Sequence, residues 1–133
     1  MSTQGEHTFD QDVLIAGEEI RGYTAGEDLE QGEPLAITGD YEVSGAEDGG
    51  PFVGVCLYDV ANGEEVAIGG DDCEVRIEFS EALSAGDAIT PDDVGTFRQA
   101  TADDDAVGVV NLGAGIGEIG EAYLSAATGE LGV

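Results

Sequence analysis

Leu29-x-x-Gly32-x-x-Leu35 returns 54 residues later as Leu83-x-x-Gly86-x-x-Ile89, and Val53-Gly54-Val55 returns at the same offset as Val107-Gly108-Val109. Two separate motifs sharing one offset argue for an internal duplication more strongly than either motif does. Both copies then run through a Gly-Glu turn into a last strand. That strand is Gly63-Glu64-Glu65-Val66-Ala67-Ile68 in the first copy and Gly120-Glu121-Ala122-Tyr123-Leu124 in the second, where the offset slips by a residue or two. Gly54 and Gly108, each inside a strand, point to a bulge or a close approach of backbones. Neither half is large enough to bury sufficient apolar surface alone. The repeat therefore predicts two β-units packed into one core.

The spacing within each unit is that of strands. Cys73, Val75, Ile77 and Phe79 alternate with Glu74, Arg76 and Glu78, the period-two pattern of a half-buried strand with a wet outer face. Arg76, between two glutamates on that face, reads as local charge relief. Short apolar runs predict further strands at Leu35–Thr38, Tyr41–Val43, Val53–Leu57, Glu65–Ile68, Ala88–Thr90, Thr96–Gln99, Val107–Leu112 and Glu121–Leu124, separated by Gly, Pro, Asn and Asp. No window sustains helical spacing over three turns. Thr90-Pro91-Asp92-Asp93 is the best place for one helical or 3₁₀ turn, with Thr as cap and Pro at the first helical position. The expected fold class is all-β: a compact small β-barrel or β-clip-like domain over residues 12–133, made of pseudo-repeats at about 25–79 and 80–124. Residues 1–11 are polar and aperiodic apart from Phe9 and read as a flexible N-terminal arm. The long loops Gly45–Pro51 and Ala100–Ala106 are expected to be free to carry contacts.

Charge narrows the function. Thirty acidic residues stand against three basic ones, Arg21, Arg76 and Arg98, for a formal net charge of −27. A mean hydropathy of −0.06 is ordinary for a folded chain, which argues against intrinsic disorder. Self-repulsion on this scale strains a compact domain, but at molar salt the Debye length falls to about 3 Å and distant carboxylates stop repelling one another. The composition is therefore that of a halophilic protein. Such a surface cannot neutralise phosphates, so nucleic acid is not an expected partner. No run of 18 apolar residues suggests a membrane span, and the N-terminus has neither the basic region nor the apolar core of a secretory signal. Cys56 and Cys73 lie in apolar strand-like runs and read as two buried thiols; their spacing does not decide whether they pair.

Chemistry is hard to place on this chain. The single histidine, His7, lies in the arm, away from the rigid setting that a catalytic imidazole needs. Ser80, Ser84 and Ser125 have no nearby base and no nucleophile elbow. The pairs Asp71-Asp72, Asp92-Asp93 and Asp103-Asp104-Asp105 lack calcium-loop spacing and read as hydrated acidic loops. Gly113-Ala114-Gly115-Ile116-Gly117 has neither a P-loop lysine nor the dinucleotide fingerprint. The expectation is a non-enzyme with no cofactor, no metal and no catalytic residue.

The glycine-centred repeat, with Ser84-Ala85-Gly86-Asp87-Ala88-Ile89 in its second copy, resembles the capsid decoration (head-stabilising) proteins of tailed viruses, including the β-clip type. The extreme acidity departs from bacteriophage members and fits a haloarchaeal tailed virus. The resemblance implies a homotrimer on the outer capsid surface of the virion that bridges neighbouring copies of the major capsid protein. It also implies that the arm around Thr8, Phe9 and Asp10 contacts the capsid, with Phe9 as its apolar anchor. A turret or tail protein is the neighbouring reading. A soluble haloarchaeal β-domain that binds a small ligand or carbohydrate is the reading from another class.

Overall fold

The structure, a computed structural model, describes residues 12–125. Every regular element among them is a strand: β1 Leu14–Ala16, β2 Glu19–Ala25, β3 Pro34–Gly39, β4 Glu42–Gly45, β5 Gly54–Cys56, β6 Glu65–Gly69, β7 Glu74–Glu78, β8 Ala88–Pro91, β9 Phe97–Gln99, β10 Gly108–Leu112 and β11 Ile119–Leu124. The fold is all-β, as the spacing predicts. Five strands close a barrel in the order β2-β4-β3-β5-β6, and the other six form an antiparallel sheet in the order β1-β7-β11-β10-β8-β9.

The two assemblies repeat one another through most of their ladders, apart from a bulge between Ile20 and Tyr23 in β2 that β7 lacks. In the barrel Leu35 pairs with Gly54, Cys56 with Ile68 and Tyr23 with Val66. In the sheet Ile89 pairs with Gly108, Val110 with Ala122 and Ile77 with Gly120, each 54 residues on. Loop contacts follow suit: Leu29 bridges Val60 as Leu83 bridges Ala114. Even the closure recurs. β4 meets β2 in parallel at Thr24↔Glu42 and Ala25↔Val43, and β9 returns to β7 through one parallel bridge, Phe79↔Phe97. β7 thus stands in the sheet where β2 stands in the barrel. Counted by hydrogen bonding, the second unit opens at β7. The Gly-Glu turn keeps the common offset as well. The partner of Gly63-Glu64 is Gly117-Glu118, because Gly63 N–H donates to Ala25 O as Gly117 N–H donates to Phe79 O. The slip to Gly120 matched letters rather than register.

Four turns share one device. Glu30–Glu33, Ala61–Glu64, Ser84–Asp87 and Gly115–Glu118 each close by a backbone bond from the fourth residue to the first. The third residue is glycine at positive φ: Gly32 at 87°, Gly63 at 90°, Gly86 at 96° and Gly117 at 74°, the backbone of a type II turn. The carboxylate of the fourth residue then accepts the N–H of the first at 2.8–3.2 Å. These acids are therefore structural acceptors.

The expectation of one core shared by the two units is corrected: each assembly has its own. Ala25, Leu29, Leu35, Val43, Cys56, Val66 and Ile68 fill the barrel. The matching positions of the sheet hold Phe79, Leu83, Ile89, Phe97, Val110, Gly120 and Ala122. The large rings at 79 and 97 are accommodated by small residues opposite: a Cβ on Gly120 would stand 2.5 Å from Phe79 Cε2. The units are joined by the outer face of β5 and β6. Val55, Leu57 and Ala67 leave the barrel core and pack with Val13, Cys73, Val75, Val107 and Leu124 in the core of the sheet. β1 stitches the join from the other side, pairing with β7 before the chain enters β2.

Three further expectations need correction. β2, the longest strand, was not foreseen, because Ile20, Arg21 and Gly22 are exposed and leave no alternation to read. Thr90 and Pro91 belong to β8, and Asp92 closes a loop rather than a helical turn. The loops Gly45–Pro51 and Ala100–Ala106 are not free, since Gly49 N–H donates to Pro91 O and Asp105 N–H to Gly49 O.

Candidate functional site

The repeat residues singled out in the sequence form the inner frame. Gly32 and Gly86 supply the turns just described, their N–H groups donating to Cys56 O and Val110 O. Gly54 and Gly108 sit in β5 and β10 where backbones nearly touch. A Cβ would lie 2.6 Å from Gly69 O at Gly54 and 2.5 Å from Tyr123 O at Gly108, so both give the close approach their sequence position suggests. Val53 is partly buried against the barrel core, Val55 lies in the join between the units, and Val107 is buried in the sheet. Val109 is 39% exposed on the sheet's outer face. Thr8, Phe9 and Asp10 lie outside the described residues.

A clamp holds the two units together at one end. Arg98 on β9 donates from Nε to Asp48 Oδ1 at 2.9 Å and from Nη1 to Asp104 Oδ2 at 2.8 Å. Asp48 belongs to the loop after β4 and Asp104 to the matching loop after β9, so one guanidinium ties the two loops. Hydrogen bonds from Arg98 and Thr101 hold the Asp104 carboxyl well below the usual carboxylate range, and the two aspartates hold the guanidinium above its ordinary value. Sequence reasoning passed over Arg98. Its signal was position: one of three cations, beside an acidic loop that matches another by the repeat.

Asp92 is the second fixed acid. It is 6% exposed and accepts from Val94 N–H, Thr96 N–H and Thr96 Oγ1 at 2.9–3.3 Å. Burial pushes its carboxyl up, but the bonds from Ser80, Val94 and Thr96 outweigh burial and hold it below the ordinary value.

Between barrel and sheet lies a cleft of about 720 Å³, at the seam where β9 returns to β7. Glu27, Glu30, Glu33, Glu47, Glu78 and Asp93 line it. Burial raises the Glu33 carboxyl above its ordinary value, and the charges of Glu27 and Glu30 add to the rise. Such walls repel phosphates and other anions. Among the described residues no group of three or more His, Cys, Asp or Glu side chains is arranged to hold a metal ion. Cys56 and Cys73 are free and buried. Burial pushes the Cys56 thiol up to about 12, so it is a poor nucleophile at neutral pH.

Arg76 meets an acid on the adjacent strand and the backbone at the start of the described chain. Its Nη1 donates to Asp12 O at 2.7 Å, and its Nε lies 3.8 Å from Glu121 on the adjacent strand. It anchors the entry to β1.

No protein-family model and no curated protein sequence matches the chain. Among solved structures it is similar to the head fiber gp8.5 N base in bacteriophage phi29, with a TM-score of 0.67 and 19% identity, covering 80% of this chain and 94% of that one. At that identity the likeness shows a shared fold.

Proposed function

We propose that the chain is a structural protein of a virion head, attached to the outside of the capsid and without enzymatic activity. The observation that carries this reading is the fold shared with a phage head fiber base over most of both chains. Within it, the chain bridges neighbouring copies of the major capsid protein as a homotrimer, so that weak contacts repeated by symmetry add up. The arm around Thr8, Phe9 and Asp10 is the capsid-contacting segment. The surface charge of −27 suits a particle that meets concentrated salt, where repulsion between carboxylates is screened. The head fiber of similar fold comes from a bacteriophage; the haloarchaeal assignment therefore rests on charge alone.

Mass spectrometry of purified virions tests the proposal. The chain is expected in intact particles and is expected to leave them selectively at low salt. A chain absent from virions, or one released only when the shell breaks, sinks it. A separate measurement addresses salt: near-UV circular dichroism is expected to collapse between molar and tens of millimolar salt, and an unchanged spectrum removes the halophilic reading.

A further inference from the structure

The join between the two units leaves a matching pair of surfaces unused. Inside the chain, the outer face of β5–β6 docks on the β7 side of the sheet. Its contact positions are Val55, Leu57, Ala67 and Gly69, and a Cβ on Gly69 would meet Val75, Leu57 and Leu14. The equivalent outer face on β10–β11 presents Val109, Asn111, Glu121 and Tyr123. Val55 is 0% exposed, whereas Val109 is 39% and Tyr123 38% exposed. The receiving surface is duplicated too. Val75 pairs with Ala122 as Ile20 pairs with Ile68, and Glu74 pairs with Tyr123 as Glu19 pairs with Gly69. Ile20 therefore stands on the barrel where Val75 stands on the sheet, with Val53 in the place of Val107. Val75 is 0% exposed and Ile20 40%. A Cβ on Gly70 would meet Ile20 Cδ1 and Val53 O, both at 3.1 Å, so Ile20, Val53 and Gly70 form one patch. Among the described residues no strand pairs with the edge of β2 beside Ile20: β4 reaches β2 at Thr24 and Ala25, whereas β1 covers the equivalent edge of β7.

We propose that copies of this chain join head to tail, the β10–β11 face of one docking on the Ile20–Val53 patch of the next, in repetition of the join between the two units of a single chain. The occupant is a second copy because each exposed surface is the counterpart of one half of a contact the fold already makes. Different surfaces meet, so the contact is heterologous and closes into a ring when its rotation divides a full turn. This inference rests on the homotrimeric reading above and supplies its interface. Asn111 and Glu121 stand where Leu57 and Ala67 stand in the internal join, which makes the contact between copies less apolar than the join.

Disulfide trapping in molar salt tests it on the full chain. Ile20→Cys and Tyr123→Cys variants, tagged to differ in mass, are mixed and oxidised; the native thiols are buried and do not compete. A covalent pair of unlike variants is expected, with none from either variant alone. A Tyr123→Cys self-pair, or an oligomer that gives no mixed pair, overturns the surface and leaves the virion reading standing. In sedimentation, Val109→Asp is expected to weaken association at least tenfold with an unchanged circular dichroism spectrum. Undiminished association overturns the inference, as does a monomer at every concentration.

Discussion

The barrel and the sheet use equivalent strands in nearly the same register, yet the barrel closes through a ladder while the sheet's last strand returns by a single bridge. The difference lies in what fills them. At the barrel seam the facing residues are Ala25 and Val43; at the sheet seam they are Phe79 and Phe97. Two phenylalanines need more room than an alanine and a valine, and a strand return squeezed by rings makes fewer backbone bonds. The sheet recovers the volume across its core with Gly120 and Ala122 where the barrel has Val66 and Ile68. One backbone pattern therefore tolerates two packings, provided the total volume is conserved.

The largest test of that comparison is Phe79→Ala, a fully buried ring in the sheet. It is expected to cost about 3–5 kcal/mol in urea denaturation. Adding Gly120→Val, which installs the barrel's pair in the sheet, is expected to recover part of the loss. The remainder comes from the Leu112 carbonyl, which a Cβ at 120 would approach to 2.6 Å. Strict additivity of the two changes would show that the positions do not share one volume.

Asp92→Ala comes next, with an expected loss of about 1–2 kcal/mol from the N–H and hydroxyl groups left without their acceptor. The pH dependence has a definite sign. The folded carboxyl titrates below its ordinary value, so its contribution is full at neutral pH and is lost as pH falls below about 4 towards the folded value. Asp92→Asn should flatten that part of the acid unfolding curve.

Arg98→Gln should leave the two cores intact and loosen the loops. Hydrogen exchange at Gly49 and Asp105, whose amides donate across the units, is expected to speed up while amides of β5 and β10 keep their protection. Slowed or unchanged loop exchange would remove the clamp.

Glu33→Gln has the smallest effect and the opposite sign. Burial raises this carboxyl, so its charged form costs stability above the folded pKa; the cost fades as pH falls through that raised value and is gone below about 4, the ordinary carboxylate value. The amide keeps an acceptor for Glu30 N–H. A gain of a few tenths of a kcal/mol is expected at pH 7 and none at pH 3, read from thermal unfolding at both values.

Cys73 to Phe79 was legible as a strand because alternation is a local property, and Gly32 and Gly86 were legible as the centres of one repeated motif; that each takes a turn's positive φ came from the structure. β2 was not, because its first residues meet solvent on both faces. Phe79 and Gly120 could not be paired by reading, since 41 residues separate them and nothing local states that one makes room for the other. The interaction surfaces were hidden for the same reason. Val55 and Val109 occupy the same place in two identical motifs, and their surroundings alone make one a join and the other an open face.

Strand-rich character and the doubling of one β-unit could be read from the residues alone, because alternation is written in near neighbours and a fixed offset of 54 is written in the repeat. The tertiary structure decided which unit closes, which face of the repeat is buried and which acids hold loops rather than water. Those outcomes depend on volumes and charges brought together from distant parts of the chain.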